Sequence, residues 1–291
     1  MPVRSRRLKR LRQLRNRQSR PRFRGHSFNR LIPNILTMIG LCAGLSAMRL
    51  GLDGRFGLAA VALLFAACID GLDGRIARLL RATSHFGAEF DSLSDFLCFG
   101  VAPPFILYLW SLHNGGPYGF LPCILFTVCM ALRLARFNTS IAGPSEQPTY
   151  AYNFFTGVPA PAGAGLALFP LFVGLEAHKL QWFGLFTAVN HPMFVGLMEV
   201  GVAFLLVSTL PVWSFKNFKV RAEYVLPILL GVCGFVAVLV ADPWAALAAA
   251  GLIYLIMLPF SRRSFRRLKA DAEALQEEIP EEPAPGTLRP G

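Results

Sequence analysis

The sequence predicts an all-α, polytopic membrane protein of about eight transmembrane helices, and three observations carry that prediction. Apolar runs of about 20 residues recur along most of the 291-residue chain. The composition is 54% hydrophobic with a mean hydropathy of +0.48, whereas a soluble all-α domain would need far more polar helix faces. Lys and Arg also collect in alternate connections, as a chain that crosses a bilayer repeatedly requires.

Taken in order, the apolar runs place helices near 32–51, 55–81, 87–111, 117–140, 158–178, 193–210, 222–240 and 243–260. Pro33 and Pro243 fall at helix starts, where a missing N–H costs nothing. Pro103 and Pro104 lie inside the third run and predict a bend. Glu199 interrupts the sixth. The N-terminus, the 81–87 turn, the 137–157 loop, the loop carrying Lys216, Lys219 and Arg221, and the Arg262–Lys269 stretch share one side. The 111–117 turn holds no Lys or Arg, and the 241–243 turn holds only Asp242. This pattern puts both termini in the cytoplasm, with a bacterial inner membrane as the expected location. Four regions follow: a basic juxtamembrane segment (1–30), a transmembrane core (31–210), two further helices (211–260) and a cytoplasmic tail (261–291) that is expected to be disordered. The Glu- and Pro-rich end of that tail, 270–291, reads as disordered.

The net charge of +12 arises wholly in residues 1–30, which hold twelve Arg or Lys and no acid, against 17 basic and 17 acidic residues elsewhere. A basic arm directly before a first span reads as lying on anionic lipid rather than on nucleic acid. It lacks the apolar stretch and cleavage site of a secretory signal, so it is expected to be retained. The six cysteines form no CxxC pair and sit mostly in apolar runs, as small packing residues.

One segment breaks the apolar pattern. Residues 70–78 read D-G-L-D-G-R-I-A-R, followed by Gly87, Asp91 and Asp95. A charge near the bilayer centre costs roughly 2.5–3.5 kcal/mol even on the lenient insertion scale, so four aspartates need a neutralising partner. On helices, Asp70 and Asp73 (i, i+3) share a face, as do Asp91 and Asp95 (i, i+4). Two antiparallel helices would converge four hard oxygen ligands on Mg²⁺ or Mn²⁺. Such cations typically handle phosphate. Gly71, Gly74 and Gly87 would let a nucleotide approach the backbone, and Arg78 could donate to a phosphate. The competing reading is a polar core in which Arg75, Arg78 and Arg81 neutralise the aspartates. A metal-ion transporter is a further alternative, but it would need acids continuing to the other membrane face.

The pattern D-x2-D-G-x2-A-R-x8-G-x3-D-x3-D resembles the signature of the CDP-alcohol phosphatidyltransferase family, and residues 70–95 match every fixed position. The resemblance covers residues 30–210 at least. It implies two divalent ions, one held by Asp70, Asp73 and Asp91, the other by Asp91, Asp95 and either Asp70 or Asp73. It also implies Asp95 as general base, a CDP-diacylglycerol site at Asn34, Thr37, Gly74, Arg78, Ser84 and Gly87, and a homodimer.

The aspartates do not choose the acceptor alcohol. The stretches L-P-N-I-L-T-M-I-G-L-C-A-G-L, F-D-S-L-S-D-F-L-C-F-G-V-A-P-P, A-L-R-L-A-R-F-N and F-T-G-V-P-A-P-A look like the branch of the family that uses L-serine. Glycerol 3-phosphate is the alternative acceptor, although the 137–157 loop supplies no additional basic residues for its phosphate. Arg133 and Arg136, followed by Asn138, fall on the cytoplasmic half of the fourth helix and are the candidate acceptor-binding residues. Arginines at that depth need an anion or must snorkel to the headgroups. Asn138 could instead end the helix. Cys98 departs from relatives, which often carry Ser or Asn there.

Overall fold

The computed structural model describes residues 31–142, 154–208, 211–213 and 222–278. The basic arm 1–30, the loop residues 143–153, Lys216, Lys219 and Arg221, and the end of the tail from 279 lie outside the described residues. The described chain is helical apart from one antiparallel pair, β1 (Phe154–Thr156) and β2 (Pro211–Trp213), in which Phe155 faces Val212.

The first two spans are α1 (Leu31–Leu52) and α2 (Phe56–Leu79), packed along each other. The third runs from His85 to Trp110 as α3 (His85–Asp95), a π-helical turn (Phe96–Val101) and α4 (Ala102–Trp110). The proline pair does not break this span. Pro104 cannot donate to the Gly100 carbonyl one turn earlier, and the π turn sits at that defect. The orphaned Gly100 oxygen instead accepts from Thr127 Oγ1 of the next span at 2.9 Å. A 3₁₀ turn (Leu112–Tyr118), with Gly116 at φ 70°, leads into α5 (Leu121–Ala142). Asn138 therefore lies inside α5 and does not end it.

Two later spans are broken. α6 (Ala160–Ala167) and α7 (Phe169–Lys179) meet at 42°, where Pro170 removes the donor for the Leu166 carbonyl. α8 (Phe183–Val189) and α9 (Pro192–Val207) meet at 51°. Hydropathy marks only the second half of that pair, because α8 is too short to register as a span. His191 caps α9 by accepting from the Met193 N–H. α10 (Ala222–Ala241) and α11 (Pro243–Glu278) close the chain. By length and composition five helices among the described residues can cross a membrane, or up to seven with each bent pair as one span. The expected eighth falls short, because the apolar part of α11, Pro243–Leu258, is only one of the shorter apolar helices.

The expectation of a disordered tail from 261 is corrected for residues 261–278, which continue α11 as helix. Arg, Lys, Ala, Leu, Gln and Glu in that stretch are good helix formers, and the prolines begin only at Pro280. Charge there reports solvent, not the absence of structure.

Ile106, Leu107, Phe126, Met130, Leu171 and Leu206 form the fully buried centre. Gly44 lets α1 approach the third span so closely that a Cβ there would lie 2.6 Å from Cys98 Sγ. On the side away from the aspartates, Lys179 reaches across to Asp242 and holds that carboxyl below the usual carboxylate range by hydrogen bonding. α10 buries none of its apolar window, the surface expected of a helix that faces lipid.

Candidate active site

α2 ends in a turn at Leu80–Ala82, where the Ala82 N–H reaches back to the Ala77 carbonyl and Arg81 adopts φ 49°. α3 then runs antiparallel to α2, starting from the Ser84 cap. The turn sets Asp70, two helical turns before the end of α2, against Asp91 and Asp95 of α3. One oxygen from each of these three carboxylates lies within 4.8 Å of the others. That spacing suits oxygen atoms sharing one hard cation.

Asp73 stands beside the cluster, 4% exposed, and accepts a 2.7 Å hydrogen bond from Thr37 Oγ1 of α1. Its charge reaches both Asp91 and Asp95. Thr37, Gly40, Asp70, Asp73, Asp95 and Cys98 line a small void at this point.

The arginine-neutralised core is not what forms. Arg75, Arg78 and Arg81 are all exposed, and among the described residues no ion pair joins any of them to an aspartate. Arg78 Nε donates to the Gly74 carbonyl at 3.1 Å. Convergent carboxylates of one sign, with hard oxygen donors and no described counter-ion, fit a divalent cation.

The residues expected at the nucleotide separate into two groups. Asn34, Ser84 and Gly87 meet: a Cβ on Gly87 would lie 3.0 Å from both Asn34 Oδ1 and Ser84 Oγ, and Ser84 Oγ accepts from the Gly87 N–H at 3.0 Å. Gly74 and Arg78 sit on the exposed face of α2, with open space over Gly74. Thr37 is not on that surface. It is buried, and it fixes a carboxylate.

On the expected acceptor side, much of the demand for an anion is met by backbone oxygen. Arg133 Nε donates to the Val158 carbonyl, and Arg136 Nη1 donates to the Val207 carbonyl at 3.0 Å, near the end of α9. Gly157 sits in this junction at φ 84°, where a Cβ would lie 2.8 Å from the Ser208 oxygen. The F-T-G-V-P segment is thus clamped by the two arginines. Asn138 Nδ2 donates to Ser92 Oγ at 3.0 Å and ties α5 to the aspartate-bearing helix. Arg133 remains within electrostatic range of Asp95.

Sequence reasoning did not find the Thr37–Asp73 bond. The P-N-I-L-T spacing put Thr37 near the site but could not say which neighbour it served. It also passed over Tyr254 of α11, whose hydroxyl is buried with no hydrogen-bond partner among the described residues.

Comparison with known proteins fits this geometry. Residues 30–205 match the family described as CDP-alcohol phosphatidyltransferase, and residues 223–259 match CDP-alcohol phosphatidyltransferase 2. The chain belongs to the CDP-alcohol phosphatidyltransferase family. It is 38% identical over 263 residues to the CDP-diacylglycerol–serine O-phosphatidyltransferase of Mycobacterium leprae, covering 90% of this chain and 84% of that protein. The proteins of the same name from Mycobacterium tuberculosis and Helicobacter pylori are 37% and 32% identical, over 87% and 78% of this chain and 86% and 88% of theirs.

Proposed function

We propose that this membrane protein transfers the phosphatidyl group of CDP-diacylglycerol to the hydroxyl of L-serine, releasing CMP. The observation that carries the reaction is the convergence of Asp70, Asp91 and Asp95 within 4.8 Å in a chain of this family. The choice of serine rests on relatives that bear the serine-transferring name over most of their length.

Asp70, Asp73, Asp91 and Asp95 are the residues that would hold divalent metal, and we assign two ions, Mg²⁺ or Mn²⁺, to them. Bound there, such ions would offset phosphate charge and polarise phosphorus. Thr37 keeps the Asp73 carboxylate oriented. Asn34, Ser84 and Gly87, together with Gly74 and Arg78, would receive the CDP portion. Asp95 takes the proton of the serine hydroxyl at a carboxylate oxygen. The serine oxygen then forms the new bond to the phosphorus that carries diacylglycerol. The bond from that phosphorus to the bridging oxygen breaks, and CMP leaves with the electron pair. Water-soluble acceptor and lipid donor meet at membrane depth because the cluster lies near the end of two spans. We place that end, and both termini, in the cytoplasm, with the basic arm 1–30 on anionic lipid and a second copy completing a homodimer.

The test supplies purified protein with CDP-diacylglycerol, Mn²⁺ or Mg²⁺, and either serine or glycerol 3-phosphate, and follows CMP and the lipid product. Serine-dependent CMP release with phosphatidylserine formed is the expected result. Turnover of glycerol 3-phosphate without turnover of serine would overturn the acceptor assignment.

A further inference from the structure

A lipid donor brings hydrocarbon chains as well as a nucleotide, and the aspartates can receive neither chain. A cavity of about 200 Å³ lies beside them. α2 contributes Leu64 and Ala67 to its wall, the third span Phe99 and Pro103, and α6 Gly165. α11 closes it with Leu247, Ala250 and Tyr254. Cys98 and Phe99 border both this cavity and the small void at Asp70, Asp73 and Asp95, so one layer of side chains separates the two spaces.

The cavity is displaced from the aspartates in the direction a lipid tail would take. Leu64 precedes Asp70 on α2, and Pro103 follows Asp95 on the next span. At the helical rise per residue, these walls lie roughly 10 Å farther from the α2–α3 turn than the carboxylates do. A phosphate held at the aspartates would leave its glycerol and chains facing this space. An apolar cavity of about 150 Å³ stays dry and takes up benzene, so the space here has room for about eight carbons of a chain. In a bilayer a chain gains nothing by exchanging one hydrocarbon surrounding for another. Such a cavity therefore acts by shape, since a chain that fills it restores the van der Waals contacts that a void forfeits.

Three contacts hold α11 over the space. Trp244 stacks on Phe172 with ring centroids 6.4 Å apart, and Asp242, just before the helix, meets Lys179. Gly251 comes so near α7 that a Cβ there would lie 2.9 Å from Phe169 Cδ2. α11 lies outside residues 30–205, which match the family, and within 223–259, which match separately. We propose that one acyl chain of the lipid donor lies in this cavity, and that α11 and Gly165 of α6 select the chains the protein accepts by shape. The proposal rests on the CDP-diacylglycerol reading above and gives the C-terminal segment a part in choosing the donor.

The test photolabels the full chain, reconstituted in phosphatidylcholine vesicles with Mn²⁺ and no acceptor, using CDP-diacylglycerol that carries a diazirine part-way along one chain. Peptide mapping is expected to find the label on Leu247, Ala250 or Tyr254 of α11, and excess unlabelled CDP-diacylglycerol should remove most of it. Gly165→Leu should cut that labelling about tenfold and raise the KM for CDP-diacylglycerol by a similar factor, with the KM for serine within about twofold. A Cβ at Gly165 meets nothing within 4 Å, and leucine favours a helix over glycine, so the variant should fold. Ala250→Leu fills the space from α11 and gives the same reading if it does not. Label confined to helices that do not line the cavity, label on α11 that excess donor leaves in place, or labelling and KM unchanged in a folded variant overturns the proposal. Wild type that releases no CMP from this donor with any acceptor ends the donor reading and the proposal together, whereas turnover without label on α11 ends the proposal alone.

Discussion

Two of the places where the membrane-spanning helices carry acid are built in opposite ways. At the α2–α3 end, Asp70, Asp91 and Asp95 are half-buried with oxygens within 4.8 Å of one another, and Thr37 holds Asp73 beside them. In α9, Glu199 is wholly buried, neither carboxyl oxygen has a hydrogen-bond partner among the described residues, and the Cys123 thiol lies next to it. Two unit charges 4 Å apart repel by about 4 kcal/mol at an effective dielectric constant of 20. Carboxylates that converge this closely stay together when a cation joins them or a proton neutralises one of them. A solitary carboxyl faces no such repulsion, and its burial leaves no side open to a ligand. Convergence together with access separates a reactive acid from a packed one, and a hydropathy plot shows neither.

The strongest way to break the contrast is to remove the base from the convergent group. Asp95→Asn keeps the shape but cannot accept a proton, and CMP release is expected to fall about 10³-fold. Quantifying CMP from folded variant protein checks this, and full activity would end the general-base role. Chelation belongs to the same test. EDTA should abolish turnover, and Mg²⁺ or Mn²⁺ should restore it in wild type but not in the variant.

How much of this was legible in the sequence depends on the range of the interactions. The aspartate spacing and the facing of α2 and α3 follow from helical periodicity and a short turn, both of which are local, whereas the meeting of Asn34 with Ser84 and Gly87 joins distant parts of the chain and was expected only from the family resemblance. The breaks at Pro170 and Pro192 could have been read from proline chemistry, but continuous apolarity masked them. The helical stretch 261–278 was hidden for the converse reason, since charge was taken for disorder where propensity favoured helix. The arginines show the real limit. Arg133 and Arg136 were expected to seek an anion, and their bonds to the Val158 and Val207 carbonyls depend on chain ends that only the tertiary fold brings together. Nothing in the local pattern of A-L-R-L-A-R-F-N encodes that meeting.

Intermediate effects should come from groups that serve the cluster without belonging to it. Thr37→Val preserves volume but removes the hydrogen bond to Asp73 Oδ2. Hydrogen bonds to charged groups contribute roughly 1.5–3 kcal/mol, so the cation concentration for half-maximal activity should rise at least about tenfold while the melting temperature changes little. A metal titration identical to wild type would show that Thr37 does not position the carboxylate. Gly74→Ala is subtler. A Cβ there meets nothing within 4 Å, and alanine favours a helix over glycine by about 1 kcal/mol. The variant should be as stable as wild type or more so, yet its KM for CDP-diacylglycerol should rise several-fold if nucleotide approaches this face. A KM equal to wild type would remove Gly74 from the nucleotide site.

The smallest effect is expected at Glu199, and it tests the comparison from the other side. An ionisable residue inside a membrane protein is by default a functional candidate, and hydropathy gives Glu199 the same standing as the aspartates. The structure separates them, because Glu199 lies at 0% exposure on α9, which packs against α5, and among the described residues it belongs to no convergent group of acids. Glu199→Gln keeps the volume and supplies a neutral group, so CMP release should stay within about twofold of wild type and the melting temperature should hold or rise. A loss of activity as deep as that of Asp95→Asn, in folded protein, would mean that the solitary acid takes part in the reaction. Burial without convergence would then no longer be sufficient ground for reading an intramembrane carboxyl as structural.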